Sequence, residues 1–278
     1  MHCLLRKRNF IPSGTRLQVQ PQLMGKAKIR SYLGETVLLV ERNRFAEALA
    51  RTNITEAPNN MASSRGHLVS SYLLSNSALS LDEEVKVLTE QDAKYAGFNL
   101  FLLAPLAYGG KKPLKFAASF VTNHGAGGLL ESRPLTSEER SIGGMTNGID
   151  GKDGQNWPKL QHGIQSLSAC LAALPKDITE ADLTTRLFEL LTWKSAEPLR
   201  ERSDLRKTIH IEPLHVPLGN GAPDFYATRL STVILIRRDG QVVFIERDIW
   251  GLDEDGKAVK RAPTSERVHR FQLQLPIT

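Results

Sequence analysis

Two cysteines and seven histidines are the residues most able to do covalent or metal chemistry in this chain. Cys3 lies just before Arg6, Lys7 and Arg8. Nearby cations favour the thiolate, which is the nucleophilic form, so Cys3 is a candidate nucleophile. An ordinary exposed thiol near a chain end fits the same residues. Cys3 and Cys170 have no zinc-site spacing, and so few cysteines argue against a disulfide scaffold and for a reducing compartment. His210 and His215 stand five apart across Pro213, a spacing that admits a pair of imidazole ligands to haem or metal as well as two solvated loop histidines. No Cys-x-x-Cys-His haem-attachment motif occurs. Asn99 reads as a buried amide tying strands together or as a ligand contact. Arg229 reads as a structural ion pair or as a group that orients a carboxylate.

These side chains need elements to hold them. The stretches 34–40, 98–104 and 115–122 read as strands, and 44–49 fits a strand or a helix. Helices fit 67–74, with Ser63 or Ser64 as N-cap, and 81–93, where Ser80 and Glu83 make a capping box. A helix starts at Trp157-Pro158-Lys159, Pro158 suiting its first turn, and runs to about Leu174. Another covers 180–191, with Leu183, Leu187, Leu190 and Leu191 at helical spacing. The clearest hairpin is 231–236, Arg238-Asp239-Gly240, then 241–246. A last strand fits 268–275. Residues 194–223 read as a long charged connection, and residues 1–34 as weakly structured. Strands at both ends with helices between predict an α+β fold with mainly antiparallel pairing. No Gly-x-Gly-x-x-Gly follows a strand, which disfavours a dinucleotide fold.

The 278 residues carry a net charge of +6, with 41% hydrophobic and 24% charged residues. That is the profile of a globular protein able to bury a core. The basic residues are scattered rather than striped, so no nucleic-acid partner is expected. No apolar run approaches the length of a membrane span, so stable membrane insertion is not expected either. Residues 1–30 are basic and lack acids, as in a mitochondrial presequence, a disordered tail or a misassigned first exon.

Four short motifs occur in order. They are Ser64-Arg65-Gly66; Tyr95-Ala96-Gly97-Phe98-Asn99-Leu100; Thr146-Asn147-Gly148 with Trp157-Pro158-Lys159 and Gly163; and Tyr226-Ala227-Thr228-Arg229-Leu230-Ser231-Thr232-Val233. With the hairpin and its return, Phe244-Ile245-Glu246-Arg247, they resemble the transport and Golgi organisation protein 2 (NRDE) family across residues 44–247. The resemblance implies an αββα sandwich of mainly antiparallel sheets, similar to N-terminal nucleophile hydrolases. It implies a divergent segment 1–34 and one family domain over 35–278. The family's opening Met-Cys and its Asn-Arg-Asp-Glu motif have no counterpart here; the chain begins Met1-His2-Cys3.

By the same resemblance Asn147 matches an oxyanion-stabilising amide, although Asn-Gly is also a common turn pair. Cys3, Asn147 and Arg229 are then the catalytic candidates, and Arg65, Asn99, Thr228 and Ser231 the binding ones. The expected role is in secretory-pathway and Golgi organisation, through binding or trafficking a small hydrophobic cargo, haem or an acyl lipid. The cargo pocket is expected between the sheets near Asn99, Asn147 and Arg229. No resident cofactor is implied; haem would be cargo. A cytoplasmic location with Golgi or mitochondrial association fits. The alternative is a cysteine-dependent N-terminal-nucleophile amide or ester hydrolase, acting if so on non-peptide C–N bonds. It needs a cysteine whose own α-amine is free to act as base, whereas the Cys3 nitrogen here is an amide.

Overall fold

Alternating β-branched and apolar residues around an Asp-Gly turn build the centre of the molecule. Residues 237–240 close the hairpin with Gly240 N–H donating to the Arg237 carbonyl at 3.0 Å, and Gly240 takes φ +87°, a region open to glycine.

The computed structural model describes residues 2–9, 36–40, 47–52, 61, 63, 65–74, 79–106, 114–216 and 224–273. In chain order these form β1 (His2–Asn9), β2 (Thr36–Val40), β3 (Glu47–Thr52), α1 (Arg65–Leu74), α2 (Leu81–Thr89), β4 (Phe98–Pro105), β5 (Phe116–Thr122), β6 (Glu131–Pro134) and α3 (Ser137–Ile142). They continue with α4 (Pro158–Ala172), α5 (Glu180–Leu190), β7 (Leu214–Val216), β8 (Asp224–Tyr226), β9 (Thr228–Ile236), β10 (Gln241–Asp248), β11 (Trp250–Leu252), β12 (Ala258–Lys260) and β13 (Arg267–Gln272). The fold is α+β, with every strand pair antiparallel.

One sheet has the order β2-β3-β4-β5-β6 and the other β1-β9-β10-β13. The outer face of the first sheet presents Phe98, Leu100, Leu102 and Val121 to Leu68, Val69 and Leu73 of α1 and Leu81 and Val85 of α2. The outer face of the second presents Val233, Leu235, Val243 and Ile245 to Leu183, Leu187 and Phe188 of α5, with Leu167 of α4 alongside. The alternate residues of β9 and β10, Ile234, Ile236, Val242 and Phe244, pack with Leu114 and Phe116 at the start of β5. The side-chain period of two therefore turns one face of each sheet to helices and the other to its partner sheet. Layer order is helix, sheet, sheet, helix.

Most expected elements appear close to their predicted bounds. Segment 44–49 resolves toward a strand, β3. The Ser80–Glu83 capping box forms, with the Ser80 N–H donating to the Glu83 carboxylate at 2.7 Å. Helix α1 begins at Arg65, earlier than expected; Ser63 instead bridges to Tyr95, and Ser64 lies outside the described residues. Three findings differ more. Residues 2–9 were expected to carry little structure, yet they form β1 against the edge of β9. Their sequence lacks a period of two, so tertiary pairing overrides a weak local signal. Second, β6 and α3 occupy a stretch with no expected element, and Thr136 and Glu139 form a second capping box there. Third, the connection 194–223 contains a 3₁₀ turn, Arg202–Lys207, and β7, which pairs with β8. Segment 10–34 lies outside the described residues.

Candidate functional site

Asn99 leaves β4 toward the turn at Thr146–Gly148. Its Nδ2 donates to the Thr146 carbonyl at 3.1 Å and the Gly148 carbonyl at 2.6 Å. Its Oδ1 accepts from Thr122 Oγ1 at 3.2 Å, on the neighbouring strand. Asn99 is 2% exposed, so these bonds satisfy an amide that burial would otherwise penalise. It joins β4, β5 and the turn, which favours the tying role.

The turn is packed from its other side by Trp157. A Cβ added to Gly148 would sit 2.5 Å from Gly154 Cα and 3.0 Å from the indole, so two glycines let the backbone approach the ring. Thr146 Oγ1 donates to the Gly154 carbonyl and accepts from the Gly148 N–H. Trp157 in turn packs with Leu205, Ile211 and Tyr226, which lead to β9. There Thr228 Oγ1 accepts the Ile211 N–H at 2.8 Å. Asn147 is 5% exposed, and its Oδ1 accepts from Lys159 Nζ at 3.1 Å. The Lys159 ammonium lies 5.0 Å from the centre of the Trp157 ring. Asn99, Asn147, Trp157, Lys159 and Thr228 thus form one connected corner.

An ion-pair network clamps the loop that carries the turn. Arg133 of β6 donates in forks to Asp150 and to Glu139 of α3, with bonds of 2.8–3.0 Å, and its guanidinium stacks over Phe120 at 4.5 Å. The Asp150 and Glu139 hydrogen bonds push the Arg133 pKa up, and Arg133 holds the Glu139 carboxyl below its usual range. Next to it Asn123 fixes the entry to β4, accepting the Phe98 N–H and donating to the Tyr95 carbonyl. Arg65 Nη1 donates to the Gly97 carbonyl at 3.2 Å in the same place.

The remaining expected residues lie elsewhere. Ser231 shares the β9 face of Val233 and Leu235, which packs on α5, while Arg229 falls where the β1–β9 register shifts, between the pairs Arg8–Leu230 and Asn9–Thr228. Among the described residues no hydrogen bond or ion pair joins Arg229 to Asn99 or Asn147. Among the described residues its side chain makes no hydrogen bond or ion pair, while its carbonyl accepts from Ile249 at 2.7 Å. Cys3 stands on the edge strand β1 in register with Leu235. His210 Nε2 accepts from the Trp250 indole at 3.4 Å, whereas His215 packs against Phe225 in a tilted arrangement with ring centres 4.3 Å apart. The two imidazoles therefore have separate partners. Among the described residues no group of three or more His, Cys, Asp or Glu is placed to hold a metal. A surface cavity of about 360 Å³ is lined by Asn123 and His124, whose N–H donates to Thr122 Oγ1 beside Asn99, and another of about 670 Å³ lies along α5.

Lys159 and Trp157 stood in the sequence as the start of a helix and as part of a family motif, without a site role. Thr122, Asn123, Arg133 and Asp150 carried no motif of their own. Their common signal is placement at strand ends and in the acidic, glycine-rich loop.

The corner residues all fall inside residues 41–251, the stretch over which the chain matches the family model Transport and Golgi organisation 2. The chain belongs to the transport and Golgi organisation 2 family. The resemblance carried by the four motifs is thereby borne out. A role in transport and Golgi organisation, in general terms, comes with membership of the transport and Golgi organisation 2 family. The match begins at Glu41, so Cys3 and the segment lacking Asn-Arg-Asp-Glu precede it. No curated protein matches the chain. Among the described residues no helix is long and apolar enough to cross a membrane.

Proposed function

We propose that the protein serves Golgi and secretory-pathway organisation by binding or carrying a small hydrophobic cargo, haem or an acyl lipid, between its two sheets. The supporting observation is a gradient of polarity along the facing surfaces. At one end Leu114 and Phe116 meet Ile234, Ile236, Val242 and Phe244. At the other end lie buried Asn99, Thr122, Thr228, Thr232 and Glu246. An amphipathic ligand has the same split. Among the described residues Thr232 Oγ1, fully buried on this face, meets no hydrogen-bond partner, an arrangement that costs about 1–3 kcal/mol unless a bound polar group or water meets it. A cytoplasmic protein with Golgi or mitochondrial association fits this role.

The helix–sheet–sheet–helix order supports kinship with N-terminal nucleophile hydrolases, a likeness of fold that does not carry their chemistry. The hydrolytic alternative has one observation in its favour: β1 lies in the same sheet as β9. It requires a cysteine with a free α-amine, and intact-mass measurement of the mature protein for an N-terminal Cys tests it.

The cargo reading is tested by titrating purified protein with haemin and with an acyl-CoA, following tryptophan quenching. Saturable one-to-one binding of either is expected. Linear, non-saturating signals with both would refute the reading.

A further inference from the structure

We propose that residues 143–156, between α3 and α4, form a lid over the polar end of the inter-sheet space, latched shut by Arg133. This rests on the cargo reading above and adds how the cargo enters.

The segment lies across both sheets. Phe98, Leu100 and Leu102 face α1 and α2, so strand alternation turns Asn99 to the inter-sheet side. There Asn99 holds the Thr146 and Gly148 carbonyls. At its far end the segment runs into Trp157, which packs with Tyr226 just ahead of β9. It therefore reaches from the first sheet to the start of the second and closes the gap where the buried polar residues lie. Asn99, Thr146 and Thr228 are 2%, 6% and 0% exposed, so a ligand meets them only if part of this wall moves.

The segment is the part of the wall suited to moving. Strands β4 and β5 are joined by a continuous antiparallel ladder from Asn99–Thr122 to Pro105–Phe116. Among the described residues the backbone–backbone hydrogen bonds of 143–156, Lys152 N–H to the Ile149 carbonyl and Asn156 N–H to the Asp153 carbonyl, close within the segment. Side chains fasten it to its surroundings. Gly143 and Gly144 join it to α3, and Gly151, at φ +76°, turns it back. Segments outside the strand ladders open locally, at a lower free energy than global unfolding.

The latch is at Asp150. Its side chain is 9% exposed, and its carboxylate accepts from Arg133 Nε at 2.8 Å and Nη2 at 3.0 Å and from Gln155 Nε2 at 3.2 Å. Arg133 is anchored in turn by Glu139 and by the Phe120 ring beneath it. On the other side His124 Nδ1 lies 3.3 Å from the Asp150 carbonyl, at the wall of the cavity of about 360 Å³. One shielded carboxylate thus ties the lid to β6, and open space adjoins it. Removing Arg133 would leave that carboxylate without its main counter-ion, which favours the lid's release into water.

The test uses the full chain as wild type, Arg133→Gln, Arg133→Lys and Asp150→Asn. Amide exchange at Lys152 and Asn156 should accelerate about tenfold or more in R133Q and D150N while the α5 amides keep their rates. R133K, which keeps the charge but loses the fork, should fall between these and wild type. In stopped flow with haemin and with palmitoyl-CoA, association and dissociation should both quicken about fivefold in R133Q, with Kd changed less than about threefold, because opening a gate lowers the barrier in both directions. Loss of a binding contact would instead raise dissociation alone. Circular dichroism checks the fold of each variant, and D150N, an isosteric change, carries the same readouts if R133Q does not fold. Unchanged exchange and rates in the folded variants, or an effect confined to dissociation, overturns the lid and leaves the cargo reading standing. Saturable binding of neither ligand to wild type overturns both.

Discussion

At the scale of single residues, Asn99 has the most to lose. Asn99→Ala deletes the donors to the Thr146 and Gly148 carbonyls and leaves both short of a partner near the core. We expect a loss of about 2–4 kcal/mol, read from the urea midpoint at unchanged slope. Gly148→Ala should also destabilise, by ~1–3 kcal/mol, because its Cβ meets backbone at Gly154 that has no rotamer to yield. A melting temperature unchanged within error for G148A would contradict this packing. Asn99 was legible in the sequence as a buried amide next to apolar strand residues. Its partners were not, since they lie on a loop some fifty positions away and backbone carbonyls leave no mark on sequence. Arg229 shows another limit. Its motif is recognisable, but it falls at a register shift between β1 and β9, which the sequence does not announce.

At the scale of elements, caps and turns decide local stability. Ser80→Ala removes the hydroxyl that accepts the Glu83 N–H and should cost about 1 kcal/mol. That cap was readable because Ser and Glu stand at fixed spacing before an apolar period. The 3₁₀ turn at 202–207 was not, because its organiser, Asp204, binds backbone: its carboxylate accepts from the Arg200 and Glu201 N–H groups and pairs with Lys207. The Arg200 N–H foremost, then Lys207 and the Glu201 N–H, hold its pKa down to about 2, against an ordinary 3.8. A carboxyl with a lowered folded pKa stabilises fully above its unfolded value and loses that contribution as pH falls through the folded one. Amide exchange at Arg200 and Glu201 should therefore be slow above pH 4 and accelerate, after correction for intrinsic rates, as pH drops from about 4 toward 2. Protection unaltered across that window would show that Asp204 does not organise the turn.

At the scale of the whole molecule, stability resides in two helix-on-sheet cores and the contact between the sheets. Leu187 is fully buried between α5 and the four-stranded sheet, and Leu187→Ala should cost ~2–5 kcal/mol. Leu129, 72% exposed, should tolerate alanine with little change. Denaturation curves for the pair separate core from surface. Fold class was legible because strands cluster at both chain ends around helices, and antiparallel pairing follows from the hairpin signal. The order of strands within each sheet was not, because pairings such as β1 with β9 or β4 with β5 depend on packing rather than on turn residues.

The pairing of β1 with β9 also has a consequence for synthesis. His2 lies opposite Ile236, and among the described residues β9 is the strand partner of β1. On the ribosome, β1 must wait for a strand made far later, β9. At roughly 5–20 residues per second, β9 leaves the ribosome some 10–50 s after β1. During that interval the basic segment Arg6-Lys7-Arg8 travels with its ladder hydrogen bonds unmade. A nascent-chain pulldown at intermediate lengths should find this segment accessible to protease until the 241–248 strand has emerged, and protected afterwards.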